Sequence, residues 1–101
     1  MKREFQCPVE ATISVIGGKY KAVIIYHLIS KVLRFSELQR LVYHATPKML
    51  TQQLRELERD GVIHRMVYPV VPPKVEYSLT PKGETMIPII KSMYKWGIDM
   101  M

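Results

Sequence analysis

Apolar residues recur along this chain with two different periods, and the switch between them divides it. Val9, Ile13 and Ile16 stand at helical spacing before Gly17-Gly18, which predicts a first helix over 9–16. Lys19 to Ser30 is more densely apolar, with Val23, Ile24, Ile25, Leu28 and Ile29, and is predicted as the central core helix. Ser36 and Gln39 have capping-box spacing and open a shorter predicted helix with Leu38, Leu41 and Val42 on its buried side. After the tight turn Tyr43-His44-Ala45, the stretch from Thr46 to Asp60 carries the cap-plus-proline start Thr46-Pro47 and the stop Gly61. Beyond Gly61 the period becomes two. Val62–Tyr68 and Val75–Leu79 are predicted strands, the second with Val75, Tyr77 and Leu79 on one face, joined by the stiff segment from Pro69 to Lys74. Thr80-Pro81 repeats the helix-start signal and predicts a last helix to the C-terminus, kinked internally by Pro88.

The 46–60 helix organises the rest. Leu50, Leu54 and Leu57 form one narrow stripe, while Lys48, Thr51, Gln52, Arg55 and Arg59 gather on the opposite side. Glu56, Glu58 and Asp60 project towards the flanks, so the outward ridge offers cations and neutral hydrogen-bonding groups that suit a polyanion. Taken alone, such a face fits a solvated surface helix equally well. Its neighbours shift the balance, because a short helix and a tight turn before it make a helix-turn-helix, and a two-stranded hairpin after it makes a wing. The expected fold is mainly α with a small β-hairpin wing: one winged helix-turn-helix domain over 1–101, with the helix-turn-helix at about 36–60, the wing at about 62–79 and a terminal helix at about 81–101.

Composition sharpens this picture in three ways. A formal charge of +6 favours a polyanionic partner. A hydrophobic content of 48% supports a modest core, and the apolar last helix has little left to cover it in so short a chain. A second copy is therefore expected, forming a homodimer through the terminal helices with Val9, Ile13, Ile87, Ile90, Tyr94, Ile98 and Met101 at the interface. One cysteine excludes an intrachain disulfide framework, and no apolar run is long enough to span a membrane or to serve as a signal peptide. A cytoplasmic, nucleoid-associated protein is expected.

The residues also resemble the HxlR-type winged helix-turn-helix transcriptional regulators of bacteria and archaea. The resemblance runs through Cys7-Pro8, Gly17-Gly18-Lys19, Arg34-Phe35-Ser36-Glu37-Leu38, Lys48-Met49-Leu50-Thr51, Leu54-Arg55-Glu56-Leu57-Glu58, Asp60-Gly61-Val62-Ile63, Pro72 to Thr80, Gly83 and Trp96-Gly97. Each piece is weak alone; in this order, over about residues 7–97, they are specific. Tyr20 stands where many members have tryptophan, and Tyr43-His44-Ala45 replaces a more usual glycine-containing turn. The resemblance implies a homodimer that reads two successive major grooves and controls nearby genes.

For the interface with double-stranded DNA, Lys48 and Arg55 are expected at phosphate or guanine, and Thr51 and Gln52 at base edges. Ser36 and Thr46 are expected to add hydroxyl contacts to phosphate, and Arg65 and Lys74 to serve the wing. Cys7 precedes a helix N-terminus, with Lys2 and Arg3 nearby, which suits a thiol responsive to oxidants or electrophiles; an inert structural thiol is the competing reading. Some relatives in the resembled family use a cysteine here as a sensor. His27, His44 and His64 lie on different elements without ligand spacing, so no metal is expected, and His44, within the turn, is instead a candidate to reach DNA. Gly17-Gly18-Lys19 lacks the upstream glycine and the following Ser or Thr of a phosphate loop. No cofactor motif and no nucleophile-base pair occurs, so enzymatic activity is not expected. The expected function is a sequence-specific regulator, in the repressor sense, on an inverted-repeat operator. The competing class is a winged-helix module that binds protein and leaves DNA alone.

Overall fold

The computed structural model describes residues 4–101; Lys2 and Arg3, expected beside Cys7, lie outside them. The helices are α1 (Pro8–Ile16), α2 (Lys21–Leu28), α3 (Phe35–Leu41), α4 (Pro47–Arg59), α5 (Pro81–Glu84) and α6 (Ile87–Ile98). The strands β1 (Ile63–Tyr68) and β2 (Lys74–Leu79) form an antiparallel hairpin between α4 and α5. The order and types of elements are those the hydrophobic pattern predicts, with one helix split in two.

α2 is the central rod. Ile24, Ile25 and Leu28 are fully enclosed and meet Leu38 and Val42 from α3 and its cap, Leu50, Leu54 and Leu57 from α4, and Ile90 from α6. Burial at about 1.5–3 kcal/mol per large side chain makes this cluster the main source of stability. Val23, expected in the core, is instead exposed, and so is Leu41 on α3. Each lies on the side of its helix away from the cluster, where a short apolar run leaves its outermost member in water.

Local signals explain the ends. The Thr46 hydroxyl accepts the Met49 N–H at 3.1 Å, with Pro47 in the first turn of α4. Gly61 has φ +75°, a left-handed conformation that favours glycine. α3 starts one residue earlier than its expected cap. Arg34 is the N-cap and its amide donates to Glu37 Oε1 at 2.8 Å, so Ser36 lies inside the first turn. The hairpin pairs Ile63 with Leu79 through Tyr68 with Lys74. Leu33 extends it by exchanging both backbone hydrogen bonds with Tyr77, at 3.0 and 2.8 Å.

The last helix is not one kinked rod. Proline lacks the amide and clashes with the carbonyl four residues back, so the chain turns at Thr85-Met86 and restarts with Pro88 in the first turn of α6. α5 is seated by Thr80, whose hydroxyl accepts the Gly83 N–H at 3.0 Å. Gly83 lies directly against the Val62 carbonyl, leaving no room for a Cβ. That carbonyl already accepts the Thr80 amide at 3.1 Å and cannot swing away freely. Gly83→Ala should therefore lower Tm by on the order of 10 °C, the cost of overpacking a rigid contact. Gly97→Ala, where a Cβ meets nothing within 4 Å, is the control and should leave Tm unchanged or slightly raised.

Candidate nucleic-acid interface

The outward side of α4 collects the expected readers. Lys48, Thr51, Gln52 and Arg55 line one shallow hollow with Pro47. Thr51 is half-buried, and its hydroxyl donates to the Pro47 carbonyl at 2.8 Å, which leaves its oxygen able to accept a further hydrogen bond. Gln52 Nε2 donates to Glu56 Oε2 at 3.3 Å and keeps its carbonyl oxygen and one N–H for a base edge. Arg59, on the same ridge, is already turned to Asp60 at 3.3 Å.

Behind these readers stands a pair the sequence reading did not anticipate. Lys21, at the start of α2, is buried, and its Nζ lies 2.6 Å from Glu56 Oε1. Hydrogen bonding to Lys21 is the largest influence on Glu56 and holds its carboxyl below the ordinary range. Lys21, Glu56 and Gln52 thus form a relay from the core to the outer face of α4. The start of α2 is tied to the helix-turn-helix again where the Tyr20 amide donates to Gln53 Oε1 and the Tyr20 hydroxyl to the His44 carbonyl, both at 3.3 Å. A tyrosine here can hold the turn from below through its hydroxyl. Gln39 Nε2 donates to the Ala45 carbonyl at 2.7 Å, fixing the same turn from α3.

The two expected wing cations separate. Directly paired residues share a face, so the register aligns Arg65 with Tyr77, on the side towards α4. There Arg65 shares a cleft with Thr51, Arg55 and Glu58, which brings one acid closer to the cations than the expected flank position suggests. Lys74 is paired with Tyr68 on the opposite side, 5.0 Å over its ring and 3.4 Å from Glu76. The Tyr68 hydroxyl, through its hydrogen bond, holds the Glu76 carboxyl below its ordinary range and is itself pushed up. Lys74 is thus a partly neutralised cation facing away from α4. The shared face of Lys74 and Glu76 is legible in the sequence, because residues two apart on a strand point the same way.

Ser36 lines a hollow with Phe35, Gln39, Arg40, Tyr43 and Pro47, beside the N-terminal end of α4. Thr46 is exposed at that end, and its hydroxyl serves as the cap. Arg40, which the sequence does not mark, and Tyr43, which it marks only as part of the turn, are both exposed in this hollow, and the Tyr43 ring rests on His44 at 4.0 Å. Cys7 is exposed as the N-cap of α1. Of the residues expected at a dimer interface, Val9, Ile13, Tyr94, Ile98 and Met101 are exposed and Ile87 is half-buried. Ile90 is the exception. It is 2% exposed within this chain's own core, because the break before Pro88 turns this side of α6 onto α2. Among the described residues no helix is long and apolar enough to cross a membrane, and no group of three potential metal ligands occurs.

A helix-turn-helix followed by a hairpin wing, with a basic and amide-bearing outer face on the second helix, defines the winged-helix class of DNA-binding regulators. Residues 15–101 match the model of the HxlR-like helix-turn-helix family, and the chain belongs to that family. It is 59% identical over 91 residues to the uncharacterised HTH-type transcriptional regulator YdeP of Bacillus subtilis (strain 168), covering 90% of this chain and 71% of that one. The redox regulator HypR in its oxidised form superposes with a TM-score of 0.89 at 55% identity, covering 92% of this chain and 96% of that one. The reduced form of the regulator YodB from B. subtilis superposes at 0.78 with 33% identity over 91% of each chain. The chain is thus a transcriptional regulator of helix-turn-helix type, not an enzyme, as the sequence reading holds.

Proposed function

We propose that residues 1–101 act as one unit, a cytoplasmic homodimeric repressor that binds an inverted-repeat operator. The observation that carries this reading is the joint exposure of Lys48, Gln52 and Arg55 on α4, with Arg65 of the wing beside Arg55. Lys48 and Arg55 contact phosphate or guanine, Arg65 of the wing contacts phosphate, Thr51 and Gln52 meet base edges, and Ser36 and Thr46 add hydroxyl contacts to phosphate. Lys74 contributes less, because Glu76 offsets its charge. The second copy packs on the exposed apolar surface of α1 and α6, through Val9, Ile13, Ile87, Tyr94, Ile98 and Met101.

Footprinting on DNA flanking the protein's own gene tests this directly. A protected inverted repeat with half-site centres about 34 Å or a multiple apart is expected. Affinity should fall roughly tenfold or more between low and moderate salt as counterions are released. Protection of a single half-site, or affinity indifferent to salt, would overturn the reading.

Control by a thiol switch at Cys7 belongs to the same proposal. It is supported by the exposure of Cys7 at the N-terminus of α1 and by the likeness to a protein described as a redox regulator. Diamide or a quinone should change operator affinity of the wild type and leave Cys7→Ser unaffected. Identical responses would remove Cys7 from the mechanism.

A further inference from the structure

The outer ridge of α4 has two margins of different construction. Its hollow, with Lys48 and Gln52, shares Thr51 and Arg55 with the cleft of the wing, and shares Pro47 with the hollow that Ser36, Arg40 and Tyr43 line on α3 and the turn. The wing cleft and the α3 hollow have no residue in common, so they border the ridge at separate margins. Size decides what each margin can meet. A helix with its side chains is about 10–12 Å across, and the major groove of B-DNA is about 12 Å wide. With α4 in the groove, its ridge takes up the base edges and the surface beyond each margin faces a phosphate strand. Arg65 supplies a cation at the wing margin.

The α3 margin suits an anion as well. Ser36 and Arg40 stand one helical turn apart on α3 and Tyr43 follows in the turn, so a hydroxyl, a guanidinium and a phenol open on one hollow. All three residues are exposed, Tyr43 to 71% although it carries a large apolar ring. No carboxylate lines the hollow, and among the described residues Arg40 has no carboxylate partner. Glu37, on the same helix, is held at its head, where Oε1 accepts the Arg34 amide. The turn that carries Tyr43 is fixed at the next two carbonyls: the Tyr20 hydroxyl donates to that of His44, and Gln39 Nε2 to that of Ala45. A turn already held in place gives up little freedom when it binds.

We propose that Arg40 and Tyr43 clamp the DNA backbone at the margin away from the wing, the Arg40 guanidinium on phosphate oxygens and the Tyr43 hydroxyl donating to a neighbouring phosphate. The inference rests on α4 reading the major groove and adds a strand contact that carries no sequence information. Fluorescence anisotropy of the full chain tests it with two duplexes of equal length, one protected in the footprint and one of shuffled sequence. Arg40→Gln should weaken binding to both by the same factor, roughly tenfold, and lower the salt slope by about one. Arg40→Lys should keep that slope, because the charge stays. Tyr43→Phe, which retains the ring against His44, should also lose affinity for both duplexes alike. Thermal unfolding of each variant should match the wild type, since both side chains are exposed. Wild-type affinity and salt slope in Arg40→Gln, with binding still lost on reversing Lys48 and Arg55, would overturn the clamp and leave the α4 reading standing. Wild-type binding in all these variants would overturn both. A loss confined to the protected duplex would overturn the clamp too, because it would make Arg40 a reader of sequence.

Discussion

Replacing Lys48 and Arg55 together by glutamate is expected to reduce affinity for operator DNA roughly a thousandfold, since each well-placed contact is worth about 1–3 kcal/mol and reversal adds repulsion. The fold should be untouched. Both side chains are exposed, and Lys48 lies in the first turn of α4, where an acidic residue interacts favourably with the helix dipole. Fluorescence anisotropy at one fixed salt concentration, alongside thermal unfolding, separates the two effects. The double variant should also have a shallower salt dependence, having lost cations that displace counterions. A folded double variant that binds as the wild type does would move the interface off α4. One that loses DNA binding yet keeps its cellular activity would favour the protein-binding alternative.

The second large effect lies behind the interface. Glu56→Ala leaves the buried Lys21 ammonium without its carboxylate, a change expected to cost about 3–5 kcal/mol, measurable by urea denaturation. Lys21→Met combined with Glu56→Leu removes both charges and should recover most of that loss. Gln52 loses its partner Glu56 in either variant, so DNA specificity should relax even where stability returns. The pair also sets a pH dependence. The folded-state pKa of Glu56 lies below the unperturbed 4.5, so its stabilisation is complete above that value and disappears as pH falls through the folded one. Chemical denaturation from pH 6 downwards should show a steeper loss of stability in the wild type than in the doubly neutral variant. Equal slopes would mean that the pair contributes nothing through ionisation.

Much of the architecture is legible in the sequence because its signals are local. The three leucines of α4, its Thr46-Pro47 start, the left-handed Gly61 and the alternation of β2 each act within a few residues. The missed features join distant segments or depend on which way a face turns. Lys21 stands near the head of an apolar run, and nothing near it reveals a partner 35 positions later in the chain. Leu33 pairs with Tyr77 through backbone groups alone, which leave no side-chain pattern. Ile90 lies on the expected apolar stripe of α6, but the restart at Pro88 decides which part of that stripe meets α2. The candidate interface divides in the same way. Its α4 members follow from helical spacing, whereas the separation of Arg65 from Lys74 requires the pairing register of the hairpin.

The seating of α5 carries a mechanical consequence. Thr80 and Gly83 clamp this four-residue helix onto Val62, at the root of the hairpin, and only two residues, Thr85 and Met86, separate it from α6. A push on α6 is therefore delivered to the base of the wing by a short, stiff crank. Spin labels on α6 and on the exposed Val71 should move in concert, with the clamp as their shared pivot.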